Sequence, residues 1–302
     1  TPRHTVGKRI AHHEREGKDF YAVTRPFLRT TDEHPLGHGP GFGEGVPIPE
    51  AATPDPEADG HMAMVDMERG LAWDIWGVER RPDGRWWSCT GMVYDLYGTG
   101  VFDPEAFPIH NGESIHLYGP SRASGVPAIA GLILHHEILS GHIPHKLLFA
   151  CEACAHLAHV FPAIWTDGGT PNGIPQGSLL QLDPGLNVDT LEVSPGARTV
   201  LQALQTYGAV LVDNAGGATL GGEGLWWDAA RSWTGWLEEE DLRGVGFEHF
   251  RFLRPETPVV EKGMMVGPNP GIFRGFLRHV GYEDTGPLRL RNDFDAWNRI
   301  EF

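Results

Sequence analysis

HMAMVDMERG LAWDIWGVER RPDGRWWSCT GMVYDL, the stretch from His61 to Leu96, reads as three strands joined by two short turns. His61 to Asp66 forms the first strand, and Glu68-Arg69-Gly70 a turn. Leu71 to Glu79 is the second strand, with Trp73 and Ile75 on one face and Asp74 and Trp76 on the other. Pro82-Asp83-Gly84 makes the second turn, and Trp86 to Leu96 the third strand. Turns this short join antiparallel neighbours, so a meander is predicted.

Working toward the C-terminus, Pro127 to Ser140 reads as a helix, with proline in its first turn and Gly141 after its end. Pro144 to Ala150 follows as a strand carrying His145, Leu147 and Phe149 on one face, and Ser178 to Leu182 as another. Ser194-Pro195 opens the clearest helix: a serine N-cap, proline at the first helical position, a Val200/Leu201/Leu204/Tyr207 stripe and Gly208 beyond the end. Ala209 to Asp213 has the composition of a buried strand. Asp228 to Leu242 reads as helix, Phe247 to Leu253 as strand, and the remainder as loop-rich. No internal repeat and no internal boundary stands out. The fold class expected is mainly β with several helices (α+β), an antiparallel β-sandwich or jelly-roll-like single domain over residues 59–302.

Residues 1–58 show neither a 2- nor a 3.6-residue period and end in the proline-rich run Val46 to Pro56. They are expected to be an extended arm docked through Phe20, Tyr21, Phe27, Leu28 and Phe42, either on the same chain or on a neighbouring subunit as a homo-oligomer contact.

The hydrophobic share of 40% is enough to fill a core, which argues against disorder of the whole chain. A net charge of −16 with no basic cluster excludes a nucleic-acid footprint. No apolar run approaches the ~18 residues of a membrane span. The chain opens on Thr1-Pro2 without methionine, which fits removal of a signal peptide or trimming, and an extracellular or periplasmic location is expected.

Several short motifs recur in order: Asp59-Gly60-His61 with Asp66, Trp73-Asp74-Ile75-Trp76, Ala123 to Pro127, Gly141 to His145, Phe161-Pro162-Ala163, Tyr207 to Asn214, and Trp236 to Phe247. In that order they resemble a family of secreted bacterial proteins of unassigned activity, over roughly residues 59–253. Arg122 stands where the resemblance implies an acidic residue, and Trp165 where it implies histidine. The resemblance implies export and a β-rich body; it implies no chemistry.

The densest polar cluster is His135, His136, Glu137, His142, His145, Cys151, Cys154, His156 and His159. Imidazole and thiolate suit zinc or copper, but no His-Glu-x-x-His and no paired Cys-x-x-Cys is present, so no cofactor is expected. Cys151-Glu152-Ala153-Cys154 reads as a small-loop disulfide, half of a metal site, or two buried thiols. Glu137, read in the last turn of an apolar helix where the dipole disfavours its charge, is a candidate proton donor; the alternative is that it points outward to solvent or pairs with Arg122 or Lys146. Asp66 and Asp213 end strands, and with His145 and His61 they complete the candidate catalytic set. The substrate-binding candidates are Trp76, Trp87 and Arg122, because an exposed indole stacks on sugar rings. Ten tryptophans exceed what a core of this size requires.

The function expected is therefore a secreted carbohydrate-active protein, a hydrolase or lyase acting on a polysaccharide or oligosaccharide by carboxylate and histidine acid–base chemistry. The alternative is a structural or assembly subunit of an extracellular surface or filament.

Overall fold

The structure, a computed structural model, describes residues 3–4, 6–8, 14–15, 18–19, 45–56, 60–88, 90–98, 122–164, 166–255 and 260–261. The fold is β-rich with two α-helices among these residues, an α+β class, and none of its sheets closes. The chain divides into two compact units, residues 1–127 with 262–302, and residues 128–261. The division follows Pro127, where the sequence carries no linker composition. Each unit has its own hydrophobic cluster.

The first unit holds strands β1 (Arg3–His4), β2 (Val6–Lys8), β3 (Glu14–Arg15), β4 (Lys18–Asp19), β5 (Val46–Pro47), β6 (Met62–Asp66), β7 (Leu71–Trp76), β8 (Glu79–Arg80), β9 (Trp86–Ser88) and β10 (Thr90–Asp95). The meander is present as the antiparallel sheet β6-β7-β10, with Met62 opposite Ile75 and Thr90 opposite Trp76. The expected third strand is two strands. The tight turn at Pro82-Asp83-Gly84 folds β9 back on β8, Glu79 opposite Trp87, and β9 also lies parallel to β2. Only the later half returns to β7. Alternation explains the core: Met62 and Met64 meet Trp73, Ile75, Val78 and Trp86, joined by Val46 and Ile48 from the end of the expected arm. Short stretches of that arm pair as β1 with β5, β2 with β9 and β3 with β4, and all five of its expected anchors lie outside the described residues.

The second unit holds α1 (His135–Ser140), β11 (Leu147–Ala150), β12 (Cys154–His159), β13 (Ile174–Gln176), β14 (Leu179–Leu182), α2 (Pro195–Thr206), β15 (Ala209–Asp213), β16 (Thr219–Leu220), β17 (Phe250–Phe252) and β18 (Val260–Glu261). Five strands form one sheet in the order β16-β11-β15-β14-β17, and three another in the order β13-β12-β18. The helix predicted from Ser194 is α2. The Ser194 hydroxyl accepts from the Ala197 N–H at 3.1 Å, and Val200, Leu201 and Leu204 are buried. Gly208, at φ +75°, turns the chain from α2 straight into β15.

That turn also corrects the antiparallel expectation. The chain between β11 and β15 is long enough to come back in the same direction, and the two strands pair in parallel, Leu147 opposite Ala209. β12 and β13 are parallel as well.

Two predicted helices are shorter or absent. Instead of spanning Pro127 to Ser140, the first is confined to α1. Gly131 sits at φ +85° against β11, where a Cβ would come within 2.8 Å of the Leu147 carbonyl carbon. No helix passes through that geometry. Residues 228–242 form turns. Side chains of Asp228, Ser232 and Asp241 accept from backbone N–H groups at Ala230, Thr234 and Glu238, offering the chain a local alternative to helix. The expected strand from Phe247 begins as a 3-10 turn, Phe247–His249, and only then becomes β17. No helix among the described residues is long and apolar enough to cross a membrane.

Candidate functional site

The short helix α1 places Glu137 at its third position, in the first turn rather than the last. The premise that the helix dipole opposes its charge is therefore reversed: the carboxylate lies at the positive end. Its Oε2 accepts the Leu134 N–H at 3.1 Å, one half of a capping box. Gly141, in the left-handed region at φ 73°, ends the helix, and the chain returns past Ile143 to His145.

There the two residues meet. His145 Nε2 lies 3.0 Å from Glu137 Oε1 and 3.2 Å from Oε2, while its Nδ1 lies 2.8 Å from the Lys146 carbonyl oxygen. A carbonyl only accepts, so Nδ1 carries hydrogen, and a proton must also lie between Nε2 and the carboxylate. The Glu137 side chain is 7% exposed and that of His145 34%, so the ring presents an edge to solvent and the carboxylate does not. Sequence reasoning found both residues; their contact depends on the Gly141 reversal. Gly141, His142 and Ile143 with Thr199, Gln202 and Tyr207 line a cleft of about 60 Å³, to whose wall neither Glu137 nor His145 contributes.

The N-terminus of α1 is tied to a second feature. Glu223 accepts from both Arg231 guanidinium nitrogens, at 2.8 and 2.9 Å, and its Oε2 also accepts the His135 N–H at 2.9 Å. Burial alone would push the Glu223 carboxyl up; the Arg231 and His135 hydrogen bonds outweigh it and hold it below the ordinary value. His135 Nε2 contacts the Ser232 carbonyl at 2.9 Å, and the His135 ring meets Trp233 edge-on at 5.2 Å. Trp233 Nε1 donates to the Glu223 carbonyl at 3.0 Å. The loop so held exposes Trp226, Trp227 and Trp236 by 48%, 47% and 43%. No local pattern distinguishes these indoles from core tryptophans, because Leu225 and Leu237 adjoin them as apolar residues adjoin a core indole.

The other candidates are placed as follows. Asp213 ends β15; its Oδ1 accepts the Asn214 N–H, which is turn chemistry, and its carbonyl accepts from the Cys154 thiol at 3.2 Å. Asp66 Oδ1 accepts the Arg69 N–H in the β6–β7 turn, with the Arg69 guanidinium 3.8 Å away. His61 precedes β6 and its carbonyl accepts from Asp55. Trp76 ends β7 and is half-buried, and Trp87 has the Arg81 guanidinium over its ring at 4.2 Å. Arg122 donates to the Pro127 carbonyl at 3.0 Å. Asp66, His61, Trp76, Trp87 and Arg122 belong to the first unit, and Glu137, His145 and Asp213 to the second.

Cys151 and Cys154 are free, buried thiols. Burial and the neighbouring Cys151 push the Cys154 thiol up to about 12, so it stays protonated. Gln176 Nε2 donates to Asp167 Oδ1 at 2.7 Å, and burial pushes the Asp167 carboxyl up, partly offset by that bond. Among the described residues no three His, Cys, Asp or Glu side chains gather as a metal-binding group. Comparison with protein-family models, with curated proteins and with solved structures returns no match.

Proposed function

We propose that this chain is an exported carbohydrate-active protein in which His145 exchanges a proton with the substrate and Glu137 orients it. The observation that carries the reading is the pairing of a buried carboxylate with a partly exposed imidazole at 3.0 Å. Glu137 holds Nε2–H, fixes the ring orientation and balances the charge of a doubly protonated ring. Nδ1 is then the working nitrogen, covered by the Lys146 carbonyl until a substrate oxygen takes that place. Donating the Nδ1 proton to a glycosidic oxygen assists departure of the leaving sugar; the neutral Nδ1 then takes a proton from water or from the adjoining ring carbon. The first route is hydrolysis and the second elimination. With this reading goes a finer architecture, a β-sandwich or jelly-roll-like plan, for the body that carries the site.

The test is turnover of a panel of soluble polysaccharides, followed by reducing ends and by absorbance of unsaturated products. His145→Ala is expected to abolish it and Glu137→Gln to lower it by about 10²-fold or more, with the circular dichroism of both variants unchanged. Full activity in His145→Ala would remove this centre from consideration.

A further inference from the structure

The exposed tryptophans raise a question that acid–base chemistry does not answer. Trp226, Trp227 and Trp236 together leave nearly half of each side chain in water, on one loop of one unit. Large apolar side chains on a monomer surface are ordinary when scattered singly, and informative when several come from one braced segment. This segment is held at both ends. At the first, Glu223 clamps Arg231 and the His135 N–H, and the Arg231 guanidinium lies 5.7 Å from the Trp227 ring. At the second, the Trp236 carbonyl sits where a Cβ on Gly196 would come within 2.1 Å, so α2 and the loop touch backbone to backbone. Trp233, between them, is anchored by its own N–H. The indoles therefore lose little freedom when something covers them, the condition under which aromatic stacking is most favourable.

Charge selects what covers them. The same stretch of sequence carries Asp228, Glu238, Glu239, Glu240 and Asp241, and the one cation of the loop, Arg231, is taken by Glu223. A polyanion meets repulsion here. A hydroxyl-rich neutral ring meets both things it needs: a flat apolar face for its C–H surface, and carboxylate oxygens that accept from its hydroxyls.

We propose that the loop 223–241 is a binding platform for neutral glycans, with Trp226, Trp227 and Trp236 as stacking surfaces. This rests on the carbohydrate reading above and narrows its substrate class to uncharged sugars, which leaves hydrolysis as the route, because the ring C–H lost in elimination is acidic only beside a carboxyl group. Binding at the platform requires no proton transfer, so it survives loss of His145.

The experiment is affinity electrophoresis of the full chain in gels containing hydroxyethyl cellulose, xylan, galactomannan or polygalacturonate, with isothermal titration of soluble oligosaccharides from whichever neutral polymer retards it. The expected result is retardation by at least one neutral polymer and none by polygalacturonate. The paired change Trp226→Ala with Trp227→Ala should weaken binding by about tenfold or more, and Trp236→Ala in the same direction. Phenylalanine at the same positions should recover part of the affinity, which separates lost stacking from a disturbed loop. His145→Ala should bind as the unaltered chain does. The proposal is overturned if no neutral polymer retards the chain, if the alanine variants bind unchanged, or if polygalacturonate binds in their place. It is equally overturned if size-exclusion chromatography shows an oligomer that the same alanine changes dissolve, for then the indoles face a second copy. Turnover by a chain whose platform variants bind normally would sink the platform and leave the His145 reading standing. Retention of binding by an inactive chain would do the reverse.

Discussion

Glu223 shows how much one side chain can organise. Its carboxylate receives two guanidinium N–H groups and a helix N-terminal N–H, and its backbone carbonyl receives the Trp233 indole. Glu223→Ala strands the two guanidinium donors and the His135 N–H, while the backbone carbonyl still accepts from Trp233, with an expected cost of about 1–3 kcal/mol in chemical denaturation. The charge-assisted part has a pH signature. The folded carboxyl lies below the ordinary value of 4.5, so its contribution is complete above that pH and is lost as pH falls through the lower, folded value. The difference in stability between the unaltered chain and Glu223→Gln should therefore be full near pH 7 and shrink below about pH 4.5. A difference that grows on acidification would show that the pairing with Arg231 is not what holds this loop. Glu137 teaches a related lesson. Its identity as a carboxylate of interest was readable beside the cluster of histidines, but its electrostatic setting was not, because that depends on where α1 begins.

At the scale of elements, α2 is the most locally specified piece of the second unit. Serine cap, proline, apolar stripe and terminal glycine all agree, and the observed helix Pro195–Thr206 follows them. Leu201→Ala and Leu204→Ala, at residues 0% and 2% exposed, should each cost about 2–5 kcal/mol. Ser194→Ala should cost about 1 kcal/mol through the lost cap. Gly196 lies in the first turn of the same helix but does different work. Gly196→Ala keeps helix propensity and adds one methyl that meets the Trp236 carbonyl at 2.1 Å. The expected outcome is a changed tryptophan fluorescence spectrum with far-ultraviolet circular dichroism preserved. An unchanged spectrum would mean that the loop does not lean on this helix. The helices predicted at 127–140 and 228–242 went astray for one reason: apolar spacing was present, but Gly131 and the Asp, Ser and Glu side chains of the loop direct the backbone elsewhere.

At the scale of the whole molecule, two clusters of buried side chains stand where one body was expected after residue 58. The cluster of the second unit draws Ile133, Ile138, Leu147, Phe149, Leu201, Leu204 and Leu211 from a continuous span of chain. Residues 128–261 expressed alone should therefore unfold cooperatively in denaturant, with slow amide exchange in β11 and β15. Non-cooperative melting of that fragment would mean that its core is completed by the rest of the chain.

Local chemistry was sufficient for the first two strands of the meander, the limits of α2 and the left-handed glycine at 208, because each depends on residues a few positions apart. The β-rich class followed from the same short-range signals added together. Other features came from contacts between residues far apart in sequence, which no local pattern encodes. These are the parallel pairing of β11 with β15, the splitting of the third meander strand, and the bond from Glu223 to a helix start 88 positions away. The same holds for the platform: an indole in a sequence can serve a core or a surface equally well, and only packing decides which face of it meets water.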